Sequence, residues 1–206
     1  MSFFQRLADK PWEHEGTTRA LPGTGEGALT VPNQRVALRT LLAVLTVMFG
    51  LFITAYFIRM ELEDWRPLPE PNLLWVNTVV LFLCSAVLQW TRIALQRQKS
   101  QQVKTGLFLG GVLTLGFIFG QLFAWREINN AGYFLYNNPA NAFFYLLTGI
   151  HGLHLLGGLW VWTKASIRVW FGGELESIRL SVELCTTYWH FLLLVWLVLF
   201  ALLSYT

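Results

Sequence analysis

Five stretches of this 206-residue sequence contain no Asp, Glu, Lys or Arg: residues 40–58, 73–91, 105–125, 141–163 and 185–205. Each is 19 to 23 residues long and dominated by Leu, Val, Ile, Phe and Trp. A helix rises about 1.5 Å per residue, so about 20 residues cross the roughly 30 Å hydrocarbon core of a bilayer. Only helices and closed barrels satisfy their backbone groups there. Barrel strands alternate apolar and polar residues, whereas these runs are continuously apolar. The expected fold class is therefore all-α, an integral membrane bundle of five transmembrane helices. A soluble fold fails on composition: 54% of the chain is hydrophobic and only 13% charged, about half the charge a soluble domain carries. Disorder over most of the length is excluded for the same reason.

Lys and Arg set the orientation. Twelve lie before the first span, between the second and third, and between the fourth and fifth. Only Arg59, Arg66 and Arg126 lie on the other side. The N-terminus is expected in the cytoplasm and the C-terminus in the periplasm. The net charge of +3 is thus a topology signal, and no interleaving of basic and aromatic residues points to nucleic acid. Residues 1–35 are mixed in charge, rich in Gly and Pro, and lack the apolar core of a cleaved signal peptide. They read as a flexible cytoplasmic arm, with Phe3, Phe4 and Leu7 available to touch a surface, ahead of a five-helix domain over 36–206. Asn129 to Asn141 reads as the turn region between the third and fourth spans, and residues 174–183 as an exposed helical lead-in to the fifth. Cys84 and Cys185 fall at different depths and are expected to be packing thiols, unpaired.

Ionisable groups inside a span are functional candidates by default. Here they are His151 and His154, three residues apart on one helix face, and His190. One reading is a metal or haem site, but no matching ligands stand on another span and no Cys pair accompanies them. A second is proton handling. A third, needing fewest assumptions, is neutral histidines hydrogen-bonded between packed helices, with Gln121 and Tyr188 as partners. No span carries Asp or Glu, which disfavours a stand-alone pump or channel. Gly106-x-x-x-Gly110 and Gly116-x-x-x-Gly120, with Gly149, Gly152, Gly157 and Gly158, allow close backbone approach by the third and fourth spans, to each other or to a partner. Trp75, Trp90, Trp125, Trp160, Trp162 and Trp189 fit interfacial anchoring, whereas Trp196 should face protein or deep lipid. Arg59 and the basic stretch holding Arg92, Arg97 and Lys99 could meet lipid phosphates; topology control explains the same charges.

Two motifs then converge. The fourth span reads Thr148-Gly-Ile-His151-Gly152-Leu-His154-Leu-Leu-Gly157, and the fifth reads Tyr188-Trp189-His190-Phe191 followed by Val195-Trp196. Together they resemble subunit III of haem-copper terminal oxidases, of the cytochrome c oxidase type, in its five-helix bacterial form. Val47-Met48-Phe49, Asn77-Thr78, Gly116 to Gln121 and the loop Asn138-Pro139-Ala140-Asn141 extend the resemblance from about residue 40 to the C-terminus. It implies a non-catalytic subunit of the bacterial inner membrane, within a respiratory complex that reduces oxygen to water with proton translocation. The implied partners are subunits I and II, which hold the haem and copper, and membrane phospholipid; a larger supercomplex is a further implication. No cofactor, metal or catalytic residue is expected in this chain. The family often has carboxylates where Thr46, Ala124 and Leu193 stand, so a part in proton uptake is expected to be reduced. A quinol oxidase or nitric oxide reductase subunit, differing only in partners, stays open, as does a stand-alone transporter.

Overall fold

The computed structural model describes residues 33–66, 72–136, 138–171 and 175–205. The arm over residues 1–35 lies outside them except for residues 33–35, which already belong to the first helix. Five helices follow in order: α1 Asn33–Met60, α2 Leu73–Gln96, α3 Ser100–Asn130, α4 Pro139–Trp170 and α5 Leu175–Tyr205. There is no strand among the described residues. All five are long and apolar enough to cross a membrane. Their 24 to 32 residues exceed the uncharged runs because helix continues through the polar ends.

That extension changes two expectations. The link between α2 and α3 is three residues, so Arg92 and Lys104 sit on helices. Of the stretch expected as an exposed lead-in to α5, residues 175–183 are part of α5, residue 174 lies outside the described residues, and Ile178 and Val182 are buried against Ala94, Val103, Leu107 and Val169.

Local hydrogen bonds close the C-terminal ends of α2 and α3 and the N-terminal end of α4. After α2, Gln98 takes φ 53°; its N–H reaches the Leu95 carbonyl and that of Lys99 the Ala94 carbonyl, each at 3.0 Å, a Schellman closure with glutamine where glycine is usual. After α3 the same closure uses Gly132 at φ 88°, with Gly132 bonding Asn129 and Tyr133 bonding Ile128. Asn138 caps α4 by accepting from the Ala140 N–H, with Pro139 in the first turn. Its side chain also exchanges hydrogen bonds with the Arg66 backbone, at 3.4 and 2.5 Å. One residue thus starts α4 and ties down the end of the segment after α1.

Helices α2 to α5 form a closed bundle, with α2 against α3 and α5, and α4 against α3 and α5; α1 lies outside, on α4 and α5. The glycines serve α2 more than expected. A Cβ on Gly106, Gly110 or Gly120 would strike Thr91, Leu88 or Asn77 of α2. Of the α3 glycines, Gly111 alone meets α4, against Trp162. The main core gathers Leu74, Leu81, Phe117, Phe144, Leu155 and Trp196. Cys84 and Cys185 are buried in one cluster with Leu88 and Trp189, and both are free.

A left-handed backbone costs a residue with a Cβ about 1 kcal/mol. Gln98→Gly should therefore raise stability by about 0.5–1 kcal/mol, offset in part by the looser unfolded chain. Thermal melting of wild type and variant measures the shift.

Candidate functional site

The residues singled out in sequence converge on the interior of the bundle, each with a different environment. His151 of α4 is fully buried, its ring 5.9 Å from Phe117 edge-on and 5.2 Å from Trp196, and neither ring nitrogen has a partner among the described residues. His154 is half-buried. Its Nδ1–H donates to the Ile150 carbonyl at 2.7 Å, and its ring packs 5.7 Å from Phe49 of α1. Tyr188 of α5 donates its hydroxyl to the His154 carbonyl at 3.0 Å. His190 of α5 lies between Ser85 Oγ, at Nδ1, and Gln89 Oε1, 3.2 Å from Nε2. With the amide oxygen accepting, Nε2 carries the proton and Nδ1 accepts from Ser85. Gln121 accepts from Asn77 Nδ2 at 3.4 Å.

Direct hydrogen bonds therefore do not join the three histidines. Tyr188 reaches the backbone of His154 rather than its ring, and Gln121 pairs with α2. The helix geometry explains the separation: His154 turns toward α1, His151 toward α3 and α5, and His190 toward α2. Among the described residues no group of three His, Cys, Asp or Glu side chains gathers to hold a metal ion.

The four basic candidates also part company. Arg59 directs both Nη atoms onto Asp64, at 2.6 and 2.5 Å. This pairing holds the Asp64 carboxyl below its ordinary range, through the hydrogen bond first. Arg92 is half-buried, with its Nε enclosed and without a partner among the described residues. Arg97 and Lys99 are exposed in the α2–α3 link. Of the three positions expected to hold family carboxylates, Ala124 is fully buried, Thr46 is exposed and bonds back to the Leu42 carbonyl at 2.8 Å, and Leu193 is half-buried.

Sequence reasoning missed the threonines. Trp189 donates Nε1–H to Thr114 at 3.2 Å, Trp196 to Thr78 at 3.0 Å, and Trp125 to Thr148 at 3.0 Å. Each threonine hydroxyl in turn donates to the carbonyl four residues back: Gly110 at 2.8 Å, Leu74 at 2.8 Å and Phe144 at 2.6 Å. The indole proton is satisfied across helices, and the hydroxyl proton within one. Trp189 was expected near a membrane interface but is 1% exposed, because Thr114 supplies the acceptor that water would have given it. Trp75 and Trp160, at 58% and 67% exposed, keep to the outer surface.

The residues that pin α5 to its neighbours are those of its Trp-His-Phe…Val-Trp motif, and residues 36–206, the whole five-helix bundle, match the family described as cytochrome c oxidase subunit III. The chain belongs to that family. Members are membrane-embedded subunits of a terminal oxidase, and this chain is a multi-pass membrane protein of that kind. Among similar proteins, cytochrome c oxidase subunit 3 of Synechocystis sp. is 30% identical, over 96% of this chain and 89% of its own. That of Thermostichus vulcanus is 27% identical, over 77% and 80%. The probable subunit 3 of Mycobacterium tuberculosis is 28% identical, over 76% and 79%.

If the tryptophan–threonine bonds hold α5 in place, Trp189→Phe and Thr114→Val should not be additive. A double-mutant cycle on unfolding free energy should return a coupling of about 0.6–1.7 kcal/mol, the range for such bonds between membrane helices.

Proposed function

We propose that this chain is the non-catalytic subunit III of a bacterial aerobic terminal oxidase, seated in the inner membrane with its N-terminus in the cytoplasm. In that place it packs on subunit I and, with subunit II, completes a complex whose haem and copper lie in the partners. The observation that supports this best is where the motif residues spend their chemistry. His151, Trp189 and Trp196 are buried in interhelical contacts, His154 bonds its own helix, and His190 bonds α2. These side chains build a scaffold that ties α4 and α5 to their neighbours.

The outer faces suit a partner and lipid. Val44, Val47, Leu51 and Ile58 of α1 and Phe119 and Phe123 of α3 are exposed. An apolar cleft of about 350 Å³ lies between α1, α4 and α5, lined by Leu38, Leu41, Gly157, Val161, Cys185 and Tyr188 among others. A Cβ on Gly157 would meet nothing within 4 Å, so the cleft keeps room for an acyl chain. Lys164, one turn beyond Val161, lies over the Trp160 ring at 5.0 Å, and its charge could meet a lipid phosphate. With Thr46, Ala124 and Leu193 uncharged, a part in collecting protons is reduced; support of the complex and lipid binding carry the role. Cytochrome c is the expected electron donor, and a quinol-fed complex would differ in the partner subunits rather than here.

Affinity purification through a tag on this chain should bring down a complex with the absorption spectrum of haem and with bound phospholipid. Within that complex, Gly157→Leu should lower the retained lipid while leaving the haem content unchanged. A stable, haem-free, monodisperse chain with transport activity of its own would overturn the reading. Equal lipid in wild type and variant would remove the cleft as its site.

A further inference from the structure

The side chains around His151 carry hydrogen-bonding capacity that the bundle itself does not fill. His151 is 0% exposed, and neither Nδ1 nor Nε2 has a partner among the described residues. Gln121, 5% exposed, accepts from Asn77 through Oε1, and its Nε2 has no partner among the described residues. The two belong to one closed circuit of contacts. The His151 ring stands against Phe117 and Trp196, which themselves meet edge to face at 4.9 Å. Phe117 lies one helical turn from Gln121 on α3. Trp196 donates to Thr78, and Asn77, the residue before Thr78, bonds Gln121. Asn77 is seated where Gly120 leaves room, since a Cβ there would come within 2.1 Å of Asn77 Oδ1. Helices α2, α3, α4 and α5 thus each contribute a side chain to the circuit.

A neutral imidazole presents one donor and one acceptor, and the amide nitrogen of glutamine presents two donors. In the hydrocarbon core such groups are not left bare, because no bulk water can take them up. Full burial of His151 keeps a neighbouring subunit's side chain from its ring. The partner must therefore be small, must both give and accept protons, and must be able to reside inside the bundle. Water meets all three conditions, and buried waters commonly make about three hydrogen bonds to polar groups of this kind.

We propose that His151 and Gln121 form a buried hydration site holding one or two ordered waters at the junction of α3 and α4. The water accepts from Gln121 Nε2 and donates to the unprotonated nitrogen of His151, while Phe117 and Trp196 close the site on its apolar sides. The first histidine of the His-Gly-x-His motif is then an interhelical tie made through water. The second, His154, is bonded to protein through Nδ1, and His190 of α5 through both ring nitrogens. The site lies wholly within this chain and does not depend on which oxidase the chain serves.

The test uses the complex in which the chain purifies. A density map fine enough to show ordered water should contain a peak within hydrogen-bond reach of a His151 ring nitrogen, about 2.7–3.2 Å away. In a sample labelled with ¹⁵N-histidine, that nitrogen should exchange magnetisation with water protons, and His151→Leu should remove the signal and so assign it. Gln121→Met leaves the imidazole in place, and should shift the His151 nitrogen resonances and weaken or abolish the water peak. If His151→Leu fails to assemble, the map and the Gln121→Met shift decide alone. A map with no water at His151, a protein group bonded to its ring, or His151 resonances unmoved in Gln121→Met would overturn the proposal.

Discussion

The two buried tryptophans of α5 each find an acceptor for the indole N–H inside the protein, and the arrangement of that helix follows from where they find it. Trp189 and Trp196 are seven residues apart, two turns on one face, and they reach Thr114 of α3 and Thr78 of α2. Each threonine can accept because its own proton goes to a carbonyl four residues back. That carbonyl keeps its helix bond and uses its second lone pair. The unit of indole, hydroxyl and carbonyl leaves none of these protons bare, which a hydrocarbon solvent demands. Its third copy, Trp125 to Thr148, ties α3 to α4.

These ties account for the division of the bundle. Helices α2 to α5 share aromatic and polar contacts across a common core, and the close backbone approach of α3 to α2 comes from Gly106, Gly110 and Gly120. Helix α1 is held otherwise, by Phe49 and Tyr56 packing toward α4 and α5 and by Arg35 bonding Glu183 at 3.1 Å. It leaves most of its apolar surface outward. That surface and the cleft beside it are where a lipid or a partner subunit would meet the chain, while the motif residues remain inside.

The spans were legible because a bilayer imposes a length and an absence of charge, and both are visible residue by residue. The family was legible because His151, His154, Trp189, His190 and Trp196 stand at fixed spacing. The partners of those residues were not. Spacing places His151 and His154 on one side of α4, but a helix turns about 100° per residue, so three residues still separate them enough to meet different neighbours. Only the packing of the whole bundle decides that one meets Phe117 and the other Phe49. Trp189 was misplaced for a related reason. Proximity to a helix end suggested an interface, whereas burial was decided by Thr114, 75 residues away in sequence. A threonine in an apolar span is easily passed over as filler, yet it is a residue that can give and accept within one turn of helix.

The dependence of the bundle on internally satisfied indoles can be measured directly through their protons. Hydrogen–deuterium exchange of the ten tryptophan indole N–H groups, followed by NMR in the membrane-embedded complex, separates them by environment. Trp125, Trp189 and Trp196 should show the downfield shifts of hydrogen-bonded indoles and exchange far more slowly than Trp75 and Trp160. Exchange of Trp189 and Trp196 as rapid as that of Trp75, or shifts typical of unbonded indoles, would contradict the account.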